Sequence, residues 1–178
     1  MAEFPFPGVR LLIRATAVEQ AWQRLAAGLQ PWIDAGGCTL LGIMTGGMVS
    51  LVEVARRLEG DFLLDHCQLS RYRGALSGGE LQWHSPPRQA MRGRVVILVD
   101  DIFDQGHTLA GLRRHCQAAG ARRVLAAVLV RKRHPRPVIG PVPELVGIEV
   151  DDEFVFGCGM DHEERWRHLR DIYALASS

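Results

Sequence analysis

The residues best suited to chemistry lie where an apolar run ends near the middle of the chain. The run Val95 to Val99 is followed by three acids within five residues, namely Asp100, Asp101 and Asp104. A glycine and then helix-compatible sequence come directly after them. In open α/β sheets, ligands bind beyond the carboxyl ends of strands, and a helix N-terminus attracts anions. The spacing therefore predicts a site for a phosphorylated ligand.

Each residue type in this stretch has a physical use. Gly106 lets the backbone approach a ligand or take a positive φ, and the Thr108 hydroxyl can cap a helix and donate to a phosphate oxygen. Asp100 and Asp101 would face ribose hydroxyls and a hydrated magnesium ion. The alternative is that the acids only end a strand and begin a turn. This alternative explains each acid by itself but not why three acids follow an apolar strand within five residues. The functional interpretation is therefore favoured.

The surrounding sequence predicts an α/β fold with a parallel sheet, because strand-like and helix-like segments alternate. Helical spacing of apolar residues occurs around 18–25, 51–58 and 108–119. Four buried strands are predicted, at Thr39 to Met44, Phe62 to Leu69, Arg94 to Asp101 and Val124 to Val130, and Leu145 to Val150 is one more strand-like run. The third of these is continuously apolar, which is typical of a central parallel strand.

Two segments interrupt the alternation. Turn residues from Ser70 to Arg94 predict a mobile loop instead of a crossover helix. Prolines at 135, 137, 141 and 143 exclude a long helix before the last predicted strand.

Composition limits the possible classes of protein. The chain has 178 residues, 47% of them hydrophobic, which fits one folded domain. Its 21 lysines and arginines nearly balance 20 acids, so no overall field draws it to nucleic acid or an anionic membrane. Four scattered cysteines without a Cys-x-x-Cys pair, and no signal-like or membrane-spanning run, predict a soluble cytoplasmic protein.

The motif also resembles a known family. The stretch 97–109 is similar to the phosphoribosyl pyrophosphate signature of type I phosphoribosyltransferases, and 42–47 resembles the pyrophosphate loop of their hypoxanthine-guanine branch. Lys132 and the segment 154–161 resemble the base-binding parts of that branch, and the resemblance runs from about Leu40 to Leu169. It implies a single domain with a five-stranded parallel sheet flanked by helices. A small hood would come from about 1–15 and 133–178.

The resemblance also implies roles for the residues of the motif. Asp100 and Asp101 would hold ribose and magnesium, and Asp104 would accept a proton near purine N7, which is typically worth roughly 10²–10⁴ in rate. The 5′-phosphate would be held by the loop that follows, which consists of Gln105, Gly106, His107 and Thr108.

The base and pyrophosphate sites would come from other parts of the chain. Lysine only donates hydrogen bonds, so Lys132 would select 6-oxopurines over adenine. Phe154 would stack on the base, the Val155 carbonyl would meet its 2-position, and Ile102 would line the site. The expected pyrophosphate residues are Met44, Thr45, Gly46, Arg71 and Arg167, with Asp161 as a further metal-contacting acid.

The chain departs from the family at three positions. Arg71-Tyr72 stands where the lid usually shows Ser-Tyr, Thr45 stands where lysine or arginine is common, and Gln105 replaces threonine or serine. The last two positions act largely through the backbone. If the loop has the family's non-proline cis peptide, it lies at Met44-Thr45.

Several alternatives remain open at this point. The run 131–134 is also consistent with a solvated basic surface or a nucleic-acid patch, and Asp161 and Arg167 with charges of a final helix near 162–169. The expected reaction joins hypoxanthine or guanine to phosphoribosyl pyrophosphate, with Mg²⁺, in a homodimer or homotetramer. Its rivals are a xanthine- or pyrimidine-preferring transferase, and a non-catalytic regulator that binds nucleic acid.

Overall fold

A computed structural model describes residues 4, 6–71 and 81–176. Strands and helices alternate through most of this part of the chain, as the sequence predicts. The elements are β1 (Val9–Ile13), α1 (Ala15–Asp34), β2 (Cys38–Met44), α2 (Gly47–Ala55), β3 (Phe62–Arg71), β4 (Leu81–Ser85), β5 (Val95–Phe103), α3 (His107–Ala118), β6 (Arg123–Arg133), β7 (Leu145–Asp151), β8 (Phe154–Phe156) and β9 (Ile172–Leu175).

The main sheet has six strands in the order β4-β3-β2-β5-β6-β7. Five are parallel, which confirms the predicted parallel sheet, and β4 pairs antiparallel with β3 at the edge. The strand β5 lies between β2 and β6, and its residues 95–101 are buried. The three acids Asp100, Asp101 and Asp104 therefore lie at or just beyond the carboxyl end of a central strand.

Both faces of the sheet are covered, which explains why β5 is continuously apolar. Val95, Ile97 and Val99 of β5 pack in the cluster that contains buried residues of α1 and α2. Val96 and Leu98 pack in the cluster on the other face, which includes residues of α3. The alternation along β5 fixes its register and hence the direction of the acids that follow it.

A second, antiparallel sheet is formed by strands near the two chain ends, in the order β1-β9-β8. Val155 and Ile172 of this small sheet belong to the same apolar cluster as α1 and α2, so it packs on that face of the main sheet. The range 133–178 predicted for the hood is too wide, because it includes β7, which belongs to the main sheet. Residues 1–3 and 5 of the predicted hood lie outside the described residues.

Two further local expectations need correction. The segment Ser70 to Arg94, predicted as a loop, contains the end of β3 and the whole of β4, which pair with each other. Residues 72–80 of the predicted lid lie outside the described residues. The alternative of a final helix near 162–169 is wrong, since turns and an isolated bridge between His162 and Arg165 occupy that segment. No helix in the described ranges is long and apolar enough to cross a membrane.

Candidate active site

The phosphate loop, residues 104–108, joins β5 to α3. Gly106 has a φ of 82° and precedes the first residue of α3. A Cβ atom there would lie 2.8 Å from the carbonyl oxygen of Ile139, so only glycine fits this turn. The helix has no side-chain cap, and Thr108 lies inside its first turn. The expectation that Thr108 caps the helix is therefore wrong, and its hydroxyl stays available to a ligand.

The loop borders a small cavity of about 130 Å³, lined by residues 100 and 102–109. The cavity lies at the N-terminus of α3, where the first amides of a helix have no intrahelical partner. All four residues predicted to hold the 5′-phosphate line it, and so does Asp104. The geometry suits a compact anion such as a phosphate group.

Two adjacent carboxylates are buried at the end of β5. Asp100 and Asp101 are 9% and 7% exposed. Asp100 Oδ1 accepts the Asp101 amide at 3.0 Å, and Asp101 Oδ1 accepts the Ile102 amide at 2.7 Å. Burial, with the neighbouring Asp101 charge, raises the pKa of Asp100 well above its usual value, and burial also raises the pKa of Asp101. A buried pair of like charges is suited to a cation or to ligand hydroxyls.

The predicted pyrophosphate loop, residues 42–47, comes very close to this pair. A Cβ atom on Gly46 would lie 2.0 Å from Asp101 Oδ2. A Cβ atom on Gly159 would lie 2.2 Å from the Gly46 carbonyl oxygen and 3.3 Å from Asp101 Cβ. The peptide bond between Met44 and Thr45 is cis, at the predicted position. Three segments that are far apart in sequence thus meet through glycines at one point.

Arg167 joins the same assembly. Its Nη1 donates to the Gly159 carbonyl at 2.8 Å, and its Nη2 lies 2.8 Å from Asp161 Oδ1. Its charge also acts to lower the pKa of Asp101, against the larger effect of burial. The predicted pyrophosphate residues Gly46 and Arg167 are therefore close to the acidic pair.

Asp161 is already engaged by protein groups. Besides Arg167, its Oδ2 accepts the Glu164 amide at 2.9 Å. Within the described ranges, no group of three or more His, Cys, Asp or Glu side chains could hold a metal ion. The three acids expected to contact metal therefore do not form one protein-only site. Magnesium commonly takes only one or two carboxylates, with water and substrate phosphates completing its shell, so the Asp100-Asp101 pair fits that ion.

The residues predicted to bind the base, Lys132, Phe154 and Val155, lie on β6 and β8. Val130 pairs with Ile102 across β6 and β5, and both pack in the apolar cluster that contains Val155. Lys132 follows Val130 by two residues near the end of β6 and is partly buried. Phe154 is 48% exposed, with its ring centroid 5.6 Å from that of His162, while Val155 is buried. The structure thus places an exposed aromatic ring on the small sheet and a partly buried lysine near the end of β6.

Asp104 begins the phosphate loop and has two basic neighbours. His134 Nε2 lies 2.8 Å from Asp104 Oδ1, and Arg136 Nη2 lies 3.2 Å from the same oxygen. Neither neighbour is among the predicted site residues. His134 lies one residue beyond the end of β6, so strand spacing does not identify it from the sequence.

One predicted residue cannot be placed. The Arg71 side chain lies outside the described residues, although its backbone ends β3. Gly159 lies within the segment 154–161, and its close approach to Gly46 depends on packing that sequence spacing does not show.

Comparison with known proteins agrees with this geometry. A family model described as "Phosphoribosyl transferase domain" matches residues 12–164. The hypoxanthine-guanine phosphoribosyltransferase of Lactococcus lactis is 32% identical over 76% of this chain and 74% of its own. That of Streptococcus pneumoniae is 28% identical over 93% of this chain and 92% of its own.

A crystal structure supports the fold. The hypoxanthine phosphoribosyltransferase of Staphylococcus aureus superimposes with a TM-score of 0.87, at 24% identity, over 94% of this chain and 91% of its own. The family model covers the strand that carries the acids. The chain therefore belongs to the phosphoribosyltransferase family, and within it to the hypoxanthine-guanine phosphoribosyltransferases.

Proposed function

We propose that this enzyme joins hypoxanthine or guanine to phosphoribosyl pyrophosphate and releases IMP or GMP with pyrophosphate. The single observation that carries the proposal is the buried Asp100-Asp101 pair beside an anion-binding loop that begins with Asp104. Acidic groups suited to ribose hydroxyls, amides suited to a phosphate and a carboxylate suited to a purine follow one another along one short stretch. The relatives named above carry the same activity in their names.

The sugar phosphate is held from two directions in this proposal. The amides of residues 105–108 bind the 5′-phosphate, and Asp100 and Asp101 accept hydrogen bonds from the ribose hydroxyls. The backbone at Gly46 and the Arg167 guanidinium bind the pyrophosphate group. This arrangement fixes C1 of the sugar between the leaving group and the base.

Magnesium fits this site because the buried acidic pair needs a compensating positive charge. Bound with the substrate, Mg²⁺ would supply positive charge that offsets the charge of the pyrophosphate leaving group. Asp100 and Asp101 are the residues that would hold it, directly or through its water molecules. Asp161 would assist by orienting Arg167, its partner at 2.8 Å.

The base is bound and activated by residues on either side of it. Lys132 donates to the 6-oxo group, Phe154 stacks on the ring, and the Val155 carbonyl accepts from the 2-amino group of guanine. As N9 forms its bond to C1 of the sugar, the bond from C1 to the pyrophosphate oxygen breaks. The proton on N7 passes to Asp104, which balances the charge on the base.

Steady-state rates with different bases test the proposal. Hypoxanthine, guanine, xanthine, adenine and uracil would each be supplied with phosphoribosyl pyrophosphate and Mg²⁺. We expect the highest kcat/KM with hypoxanthine or guanine and little turnover of adenine, because Lys132 cannot accept from a 6-amino group. Fastest turnover of uracil would overturn the base assignment. Fastest turnover of xanthine would show that the enzyme prefers a different oxopurine from hypoxanthine and guanine.

The charges of the basic run do not favour the regulator alternative. Arg131 pairs with Glu149 at 3.5 Å, and Arg133 pairs with Asp151 at 2.8 Å. These two acids of β7 thus neutralise positive charge that the protein would need in order to bind a nucleic-acid backbone. We also propose a cytoplasmic location, which four unpaired, buried cysteines support, and assembly as a homodimer or homotetramer.

A further inference from the structure

His134 and Asp104 form a buried contact that the reaction outlined above does not use. The His134 side chain is 1% exposed, and its Nε2 lies 2.8 Å from Asp104 Oδ1. Both ring nitrogens and Asp104 Oδ1 are fully buried and lack a well-aligned hydrogen bond within the described ranges. Burying an imidazole without a hydrogen-bond partner is energetically unfavourable, which suggests that this contact has a function.

The two oxygens of Asp104 have different surroundings. Oδ1 is buried against His134 and Arg136, whereas the side chain as a whole is 38% exposed. The exposed part of the carboxylate is therefore on the side of Oδ2. Oδ1 thus contacts two basic side chains, and Asp104 also lines the cavity at the start of α3.

The segment that carries His134 is fixed to the phosphate loop at a second point. The Ile139 amide donates to the Gln105 carbonyl at 2.7 Å, and the Ile139 carbonyl lies against Gly106. Residues 134–139 therefore follow the loop from Asp104 to Gly106. Because Pro135 and Pro137 restrict the backbone of this segment, its position is well defined.

We propose that His134 is a positioning residue, which holds Asp104 Oδ1 so that Oδ2 faces N7 of the incoming purine. The proposal rests on the proposed role of Asp104 as the proton acceptor. Catalytic hydrogen bonds are often poorly aligned before substrate binds and tighten in the complex, so the 2.8 Å contact is poised to become a hydrogen bond. His134 does not relay the proton to water, because its side chain is sealed from solvent.

A double-mutant cycle tests this assignment. His134→Leu replaces the imidazole, with its N–H donor, by an apolar side chain. His134→Gln retains a nitrogen donor of similar reach. We expect His134→Leu to lower kcat about tenfold, with the KM for phosphoribosyl pyrophosphate within twofold of its original value, and His134→Gln to recover most of the loss. In an Asp104→Asn background, His134→Leu should have no further effect on kcat, because the carboxylate that it positions is gone.

Arg133→Gln is the matched control. Arg133 is the preceding residue, and it pairs with the largely exposed Asp151. It makes no contact with Asp104 in the described structure, so we expect kcat within twofold of the original. If His134→Leu loses its cooperative unfolding transition, His134→Asn takes its place, since asparagine is too short to reach Oδ1.

Each result decides between a positioning role and a merely structural one. An unchanged kcat for His134→Leu overturns the proposal, and so does an equal loss in the Asp104→Asn background or a loss seen only in KM. An unchanged kcat for Asp104→Asn itself would instead overturn the proton-acceptor role. The two failures are therefore distinguishable, because the first leaves Asp104 essential and the second does not.

Discussion

The two sides of the active site are built in different ways. The sugar-phosphate side, residues 100–108, comes from one unbroken stretch that joins the central strand to α3. The base side combines Lys132 at the end of β6 with Phe154 and Val155 of β8 in the small sheet. One side is therefore positioned by local backbone geometry, and the other by the packing of the small sheet on the main one.

This difference has consequences for function. A short connection between a buried strand and a helix leaves few alternative conformations, which suits groups that must meet reacting atoms. Groups on separate strands can change independently, which suits a surface that selects among bases. We therefore expect substitutions on the sugar-phosphate side to lower the rate with every base, and those on the base side to change the ranking of bases.

The largest effect should come from Asp104→Asn. The amide has nearly the same shape but cannot accept a proton from N7, so we expect kcat to fall by roughly 10²–10⁴. Binding of phosphoribosyl pyrophosphate with Mg²⁺, measured by calorimetry, should change little. The loss should be similar for hypoxanthine and guanine. A variant that keeps its full rate would contradict the proton-acceptor role.

Gly159→Ala should have the next largest effect, because Gly159 links the two sides. Its φ is 102°, and a Cβ atom would lie 2.2 Å from the Gly46 carbonyl. Displacing the pyrophosphate loop by about 1 Å should lower kcat/KM for phosphoribosyl pyrophosphate roughly 10²-fold.

Gly157→Ala is a matched control for Gly159→Ala. Gly157 has a φ of 101°, and its Cβ atom would lie 2.2 Å from the Asp171 carbonyl, away from Gly46. Both variants should lose stability in thermal unfolding, but only Gly159→Ala should show the fall in kcat/KM for phosphoribosyl pyrophosphate. Equal falls in kcat/KM would mean that strain in the segment, and not contact with Gly46, controls the site.

Lys132→Met should act on the choice of base. Methionine keeps the length of the side chain but removes the donor to the 6-oxo group. A hydrogen bond from a charged group is worth about 1.5–3 kcal/mol, so kcat/KM for hypoxanthine should fall by roughly 10- to 150-fold. The rate with adenine should fall much less. Arg133→Met, on the opposite face of β6, should leave the ratio of the two bases unchanged.

The same division explains what could be predicted from the sequence. The sugar-phosphate side was predictable because its signal is local: an apolar run, three acids, and Gly106 at a turn that only glycine fits. The strand β5 and its central place also follow from its continuous hydrophobicity. The base side was indicated only through resemblance to a family, because no spacing connects Lys132 with Phe154.

Packing between distant segments explains most of what was missed. The strands β1 and β9 have five and four residues, and each is stabilised by a partner at the other end of the chain. The sequence of β4 is surrounded by turn residues, and its pairing with β3 decides its conformation. His134 looked like part of a solvated basic run, but the fold places its side chain beneath the phosphate loop.

The smallest effect concerns stability, and it tests whether burial of the acidic pair on the sugar-phosphate side lowers the free energy of unfolding. Asp100→Asn removes one of two buried like charges, and the amide oxygen can still accept the Asp101 amide. Without ligands, we expect the free energy of unfolding to rise by about 1–2 kcal/mol while activity is lost. Lys132→Met should change the same quantity by less than about 0.5 kcal/mol, since that side chain is only partly buried.

Urea unfolding with and without phosphoribosyl pyrophosphate and Mg²⁺ measures both, and the ligands should stabilise the original chain more than Asp100→Asn. A lower stability of Asp100→Asn without ligands would show instead that the acidic pair supports the fold, and the contrast between the two sides would then lie in catalysis alone.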